Sequence, residues 1–364
     1  MMQKCNTFNI YLIKTYFLEK NNHKMIKKPR LLLIIKQKYK GVINMNKFKK
    51  LGLTALAGSL VATSAYAGEV TVAGGASMGV KNNSGTDGGK SWTMGNQLTF
   101  TGGGELDNGL NVSISFVLDQ GDNAVGTAKD ATTATGEAPF DSHSITVSSD
   151  ELGSVTMAGE GGSSAQTAVD GTAAGDIFDN GFGISSPAAS DMASGGLLYT
   201  LPSMIDDVSA QLSYSPGGSG KESASAFNLT YTGVDGLSAT YASGELATLG
   251  TTGDAVTMKA SYAIGAFTAA ASQTEVDYDA SGNADQEISS FKVSYTVTED
   301  LSISYGEETF ETDGSATDEE VEQLSASYTT GGMTVSLSET EANGIDHIAG
   351  STGERWKLGV SFAF

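Results

Sequence analysis

Residues 356–364 read Trp-Lys-Leu-Gly-Val-Ser-Phe-Ala-Phe. Trp356, Leu358, Val360, Phe362 and Phe364 fall on one face of an extended chain, and Lys357, Gly359, Ser361 and Ala363 on the other. Such a strand offers one side to hydrocarbon and the other to water. The same period of two recurs in Leu110, Val112, Ile114, Phe116 and Leu118, in Val256, Met258, Ala260 and Tyr262, in Leu301, Ile303 and Tyr305, and in Met333, Val335 and Leu337. Ser, Thr, Asn, Gly and Lys stand between these residues, and Gly, Asn, Asp and Ser clusters flank them, which predicts strands. Alternation alone fits a soluble sandwich as well as a membrane barrel.

The first 67 residues are set aside. From Met45 a basic stretch (Lys47, Lys49, Lys50) precedes an apolar run from Leu51 to Ala62 and then Ala65-Tyr66-Ala67, the order of a cleaved secretory signal. Residues 45–67 are therefore read as a signal peptide, with the mature chain, 68–364, starting at Gly68. Residues 1–44 are Lys-rich, hold the lone cysteine, Cys5, and follow no targeting plan; the expectation is a start codon placed too early. Residues 1–67 carry 13 of the 21 basic residues and one of the 42 acidic ones, leaving a mature net charge of −33. A chain so acidic is not a nucleic-acid binder, which needs clustered cations to displace phosphate counterions. The mature part has no cysteine, hence no disulfide framework. Nor does it hold any run near the roughly 20 apolar residues of a membrane helix. If it spans a bilayer it does so as a closed barrel, which satisfies its backbone internally.

The connections favour the barrel. Tight turns at 107–109, 150–153, 233–236, 298–300 and 330–332 alternate with longer polar segments near 81–90, 120–140, 161–195, 216–221, 246–253, 276–286, 311–319 and 342–353. Short connections collect at one end and long ones at the other, as in outer-membrane barrels. Tyr231, Tyr262, Tyr295 and Tyr328 each stand just before a tight turn at spacings of 31, 33 and 33, and Phe364 follows 36 later. This places a girdle at one rim, where rings with an apolar body and a polar tip collect. Trp92 and Trp356 read as further interface anchors.

Together these pieces resemble the general bacterial porins, in particular those of alphaproteobacteria, over residues 45–364. The match is carried by the signal peptide, Ser144-Ile-Thr-Val, Gly153-Ser-Val-Thr-Met-Ala-Gly-Glu160, Asp176-Ile-Phe-Asp-Asn180, Tyr199-Thr-Leu-Pro202 and the C-terminal Phe. The resemblance implies an all-β, antiparallel up-and-down transmembrane barrel of sixteen strands, assembled as a homotrimer in the outer membrane. Its third long loop, about 161–195, would fold into the lumen. It implies passive diffusion of small hydrophilic solutes and ions, contact with lipid and lipopolysaccharide, and handling by the barrel assembly machinery through the C-terminal strand. No cofactor or metal is implied.

Strand parity names the lumen charges. Lys259, Lys292, Arg355 and Lys357 stand between outward residues and so point inward, as do Glu105, Asp119 and Glu160. The inserted loop offers Asp170, Asp176, Asp179 and Asp191. By the resemblance, Asp170, Asp176 and Asp179 would face Lys259, Lys292 and Lys357 across the constriction. Many relatives show Gly-Arg where this chain has Gly159-Glu160, and its single mature arginine is Arg355. Few fixed cations among many acids predict mild cation selectivity, weakened by salt.

Other motifs dissolve. Gly88-Gly89-Lys90-Ser91 lacks the glycine of a phosphate loop, Ser84 standing in its place. A calcium loop beginning at Asp277 would need Glu at its twelfth position, which is Ile288. The acid-rich stretches around 307–320 read as solvated faces that divalent ions could bridge to lipopolysaccharide. Asp141, Ser142, His143 and His347 are the mature material for a hydrolytic centre, and adjacency in sequence does not make a triad. The reading is therefore a channel and not an enzyme. A substrate-specific channel, which would need a lumen ladder of aromatics, and a surface structural or adhesion barrel are the alternatives.

Overall fold

The computed structural model describes residues 70–84, 88–119, 141–179, 182, 184, 188–190, 192 and 195–364, and the backbone alone of 11–21, 24–34 and 124–125. The signal peptide read from sequence, residues 45–67, lies outside these residues. The chain forms two units, Met1–Leu51 and Gly52–Phe364. In the first, Tyr11–Asn21 pairs antiparallel with Lys24–Ile34.

The second unit is a closed antiparallel barrel of sixteen strands. In chain order these are β1 (Val70–Asn83), β2 (Gly89–Glu105), β3 (Asn111–Asp119), β4 (Ser142–Ser149), β5 (Gly153–Glu160), β6 (Leu197–Thr200), β7 (Val208–Ser215) and β8 (Ala224–Tyr231). There follow β9 (Leu237–Leu246), β10 (Gly253–Ile264), β11 (Phe267–Tyr278), β12 (Gln286–Thr296), β13 (Leu301–Thr312), β14 (Glu319–Thr330), β15 (Met333–Asn343) and β16 (Thr352–Ala363). A two-residue piece, Ala124–Val125, pairs with β2 beyond the end of β3. β16 closes the circle on β1, from Arg355 opposite Asn83 to Ala363 opposite Gly75. The last residue completes the seam: Phe364 and Gly74 exchange backbone hydrogen bonds at 2.7 and 3.0 Å. Closure leaves no strand edge unpaired.

Short and long connections segregate to opposite ends, as the turn chemistry predicts. Besides the five turns read from sequence, short connections occur at 201–207 and 265–266. At the second of these, Gly265 takes φ 59°, a conformation that glycine adopts without a Cβ penalty. No helix among the described residues is long and apolar enough to cross a membrane, which says nothing of a barrel.

Period-2 patterning fixes the two radial faces. Outward lie Met258 against Tyr241, Leu337 against Leu358 and Val335 against Val360, all in register. Inward lie hydroxyls, paired across strands as Thr146 with Thr156 (2.8 Å), Thr230 with Thr240 (2.9 Å) and Ser304 with Ser325 (2.8 Å). Where hydroxyls satisfy one another in this way, the inward face is polar without a charge.

Tyr231, Tyr262, Tyr295 and Tyr328 stand outward near the ends of β8, β10, β12 and β14, next to the short turns, with Phe364 at the same end. Phe267 packs on Tyr295 with ring centroids 4.6 Å apart. Trp92 and Trp356 lie near the opposite end, where β2 and β16 leave the long loops. The aromatic residues thus occupy both rims, so the girdle read from sequence is two bands.

Candidate functional site

The longest connection, 161–196, leaves β5 and returns at β6, and its hydrogen bonds run to inward-facing residues of one wall. Ala165 N–H donates to Ser213 Oγ on β7 (2.9 Å), and Asn228 on β8 donates back to the Ala165 carbonyl (2.6 Å). Gln166 is a cross-brace: its Nε2 donates to Thr257 on β10 (3.0 Å) while its Oε1 accepts both Ser190 N–H (3.0 Å) and Ser190 Oγ–H (2.9 Å), tying the two arms of the segment together. Each bond satisfies a polar group that burial would otherwise strand.

Lys259 and Lys292 point inward, where parity places them, but they meet the segment directly. Lys259 Nζ donates to Asp170 Oδ2 (3.0 Å) and to the carbonyls of Asp170 (3.0 Å) and Thr172 (2.7 Å). Lys292 Nζ reaches the Ala174 carbonyl (3.2 Å). The expectation that Asp170 faces Lys259 across an open lumen is thereby corrected. The segment lies against the wall that carries both lysines, because an ammonium with three donors can satisfy the carbonyls of a non-helical stretch. Asp170 and Lys259 are neighbours on one side of the lumen, and the Asp170 side chain stays 53% exposed.

Thr172 organises the next turn. Its Oγ accepts the N–H groups of Gly175 (3.2 Å) and Asp176 (2.7 Å) and donates to Asp176 Oδ1 (3.1 Å), holding Asp176 at φ 52° with its side chain exposed. Of Asp179 only the backbone is described, within the short 3₁₀ turn Ile177–Asp179, and Asp191 lies outside the described residues.

Beneath this turn is the fully buried Glu308 of β13, whose Oε2 accepts Phe178 N–H (3.2 Å) and whose Oε1 faces Ser290 Oγ (3.4 Å). Ser290 in turn accepts Ala174 N–H (2.8 Å). Around this polar grip Ile177, Phe178 and Ile184 pack on Ile288, Phe310, Val321, Ala342 and Ile345. Phe178 meets Phe310 edge to face with centroids 6.1 Å apart. Gly306 has no Cβ because Ala174 occupies that space.

The uncovered wall is different. Lys357 on β16 stands directly opposite Lys81 on β1, both inward, and neither makes an ion pair among the described residues. One inward step nearer the loops, Arg355 is buried between Thr340 and Asn83 in register. Strand parity does not name Lys81, because 81–90 reads as a polar loop in the sequence. The signal was available in the alternation of Met78, Val80 and Asn82, which continues β1 to Asn83. The register slips between His143 and Ser144, so that His143 pairs with Glu160, yet Glu160 still lines a pocket with the inward Ser115, Ser144, Thr156 and Ala158 and with Met192 of the inserted segment.

The model of the Gram-negative porin family matches residues 52–321, and the chain belongs to that family. No curated protein sequence matches it. Among solved structures it is similar to an anion-selective porin from Comamonas acidovorans, with 16% identity and a TM-score of 0.60 over 82% of this chain and 100% of that one. It is similar also to Salmonella typhi OmpF in complex with daunomycin, at 13% identity and TM-score 0.65 over 81% of this chain and 97% of that one. A third is the trimer form of Vibrio cholerae OmpT, at 13% and 0.59 over 82% and 100%. At these identities the likeness is one of fold. Family and fold together make this an outer-membrane channel.

Proposed function

We propose that the chain is a non-enzymatic, passive diffusion channel for small hydrophilic solutes and ions, mildly selective for cations. The observation that carries this reading is the lumen lining. The inward strand positions are predominantly Ser, Thr, Gly and Ala, and the described inward aromatics are Phe310, buried under the inserted segment, and Tyr278 at the end of β11. A lumen without an aromatic ladder offers a solute water and hydroxyls but no stacking platform, which argues against a substrate-specific channel. Sixteen strands are enough to enclose an aqueous passage.

Selectivity follows from the charges that line the passage. Lys259 and Lys292 are spent on the inserted segment, Lys259 on Asp170 as well as on carbonyls, while the side chains of Asp170 and Asp176 keep a face exposed. Across the lumen stand Lys81 and Lys357, so a transverse field would run from these two lysines to the loop acids, in place of the pairing with Lys259 and Lys292. One structural neighbour is described as anion-selective, so selectivity must come from each chain's own lining and not from the fold. Reversal potentials in a salt gradient test this: the expected sign is that of cation preference, and anion preference would overturn it. D170N with D176N should move the potential towards anions and K81Q with K357Q away from them.

The maturation and setting belong to the same proposal. Cleavage after Ala67 leaves Gly68 as the first residue, residues 1–44 precede the true start, and the strand 356–364 is what the barrel assembly machinery reads. The outward belt meets lipid and, at its long-loop end, lipopolysaccharide, with the two aromatic bands at the interfaces. Copies of so acidic a chain associate as a homotrimer through the outer face that carries fewest carboxylates. N-terminal sequencing of protein from outer membranes, with unheated gel electrophoresis, checks processing and assembly together.

A further inference from the structure

The last long loop, 344–351, sits against the inserted segment in a strained conformation. Ile345 packs into the apolar cluster with Ile177 and Phe178, and the chain then takes left-handed backbone angles at two residues with side chains, Asp346 (φ 59°) and His347 (φ 56°). Such residues persist only where surrounding contacts hold them. The contacts come from the start of β14 and the loop before it. Glu319 Oε1 accepts Asp346 N–H at 2.7 Å, His347 Nδ1 lies 2.9 Å from the Thr317 carbonyl, and the His347 ring is 5.6 Å from that of Phe310.

The Thr317 carbonyl can only accept, so Nδ1 carries the hydrogen. In the neutral ring Nε2 is then a bare lone pair, and it faces Glu319 Oε2 at 4.0 Å. Two acceptors confront each other there with no hydrogen between them. Glu319 is buried, and its ion-pair partner among the described residues is His347. The charged groups nearby are mostly acids: Asp346 in the same loop, Asp318 beside Glu319, and Glu308 two residues from Phe310 on β13. Arg355 lies two residues from Gly353 on β16, which approaches Ile345. One proton on Nε2 turns the confrontation into an ion pair at 4.0 Å, which a small closing movement would make a charge-assisted hydrogen bond.

We propose that His347 and Glu319 form a clasp closed by a proton, which pins the last long loop onto the inserted segment, so that acid steadies the constriction and alkali frees it. The clasp has one attractive charged contact more when protonated than when neutral. Its hold is therefore present with the ring charged and lost with the ring neutral. With the clasp open, the left-handed residues can relax, Ile345 withdraws from the cluster, and the segment above Glu308 loses part of its packing.

Two measurements on the folded barrel judge this, the second resting also on the channel reading. Nitrogen-15 imidazole spectra, assigned with H143N, should show His347 as the Nδ1–H tautomer at pH 8. At pH 5 its Nε2–H should be protected from exchange, unlike that of His143. An Nε2–H tautomer at pH 8, or an unprotected Nε2–H at pH 5, overturns the clasp whatever the protein conducts. In single-channel records, brief closures should become about tenfold rarer from pH 8 to pH 5, the weight of one charged hydrogen bond. That dependence should vanish in H347F. E319Q, whose amide can donate to the neutral Nε2, should be quiet at both pH values. An unchanged pH dependence in H347F, or frequent closures of E319Q at pH 8, refutes the proposal. Absence of current in the unaltered protein would count against the channel and leave the spectra to decide the clasp.

Discussion

The wall from β7 to β15 and the wall from β16 through β1 to β5 are built on the same alternation, yet they have opposite interiors. On the first, the inward positions at the loop end are buried beneath the inserted segment: Ala255, Val276, Ile288, Glu308, Phe310, Val321 and Ala342. On the second, inward Thr101, Ser115, Thr146 and Thr156 stay at least partly exposed. The outside divides in a related way. Regularly alternating outward positions of β1–β8 carry no Asp or Glu, whereas β9–β16 present Glu245, Asp254, Glu275, Glu287, Glu307, Glu322, Glu341 and Glu354 outward. Alternation decides only whether a residue faces in or out. What each face then meets depends on the loop inside and on lipid or another copy outside.

The largest effect should come from the outer faces. Arginine in the lipid-facing belt costs about 2–4 kcal/mol at the bilayer midplane wherever it is placed. I114R on β3 and L324R on β14 should therefore weaken the folded barrel alike in denaturant titrations. If β1–β8 is where copies meet, I114R should in addition abolish the trimer band on unheated gels while L324R keeps it. Identical behaviour of the two variants on those gels would erase the distinction between the faces.

The inner faces give the next effect. Glu308→Ala removes the acceptor of Phe178 N–H and leaves that group buried, a penalty of about 1–3 kcal/mol confined to the inserted segment. Protease should then cut within 161–196 faster and single-channel conductance should rise, while E308Q, which keeps one acceptor oxygen, should fall between. Thr101→Ala on the bare wall should do neither. Were T101A to raise conductance as much as E308A, the grip at Glu308 would not be what sets the opening.

The strands, their inward and outward sets and the division of turns from loops were legible because each is written locally, in period and turn chemistry. The lumen charges were legible only halfway. Parity placed Lys259 and Lys292 inside correctly, but the carbonyls they serve belong to a segment some 90 to 120 residues earlier, and no local pattern connects them. A signal did exist: Ile288, Phe310 and Val321 are apolar at inward positions where a water-filled lumen calls for polar residues, so something had to cover them. The bulge at His143 was not legible in the alternation, which continues through Ala158 and Glu160 although the ladder slips beside them.

The smallest effect concerns the acidic half of the outside. Glu307, Glu322, Glu341 and Glu354 lie directly opposite one another on four consecutive strands, β13 to β16, with no cation between them in register. Like charges in directly opposed positions destabilise a sheet by roughly 0.2–1 kcal/mol per pair. E322Q with E341Q removes all three pairings while keeping size and shape, so at low ionic strength the double variant should unfold at a higher denaturant concentration than the parent. Near 1 M salt the screening length is about 3 Å, shorter than the separation across a strand pair, and the gain should disappear. The outward positions of β1–β3, which carry no carboxylate, supply the control, since nothing there can be neutralised to the same effect. If the double variant proves less stable at low salt, the row is not a site of bare repulsion but is held by cations, and the two outer faces would then differ in what they bind as well as in charge.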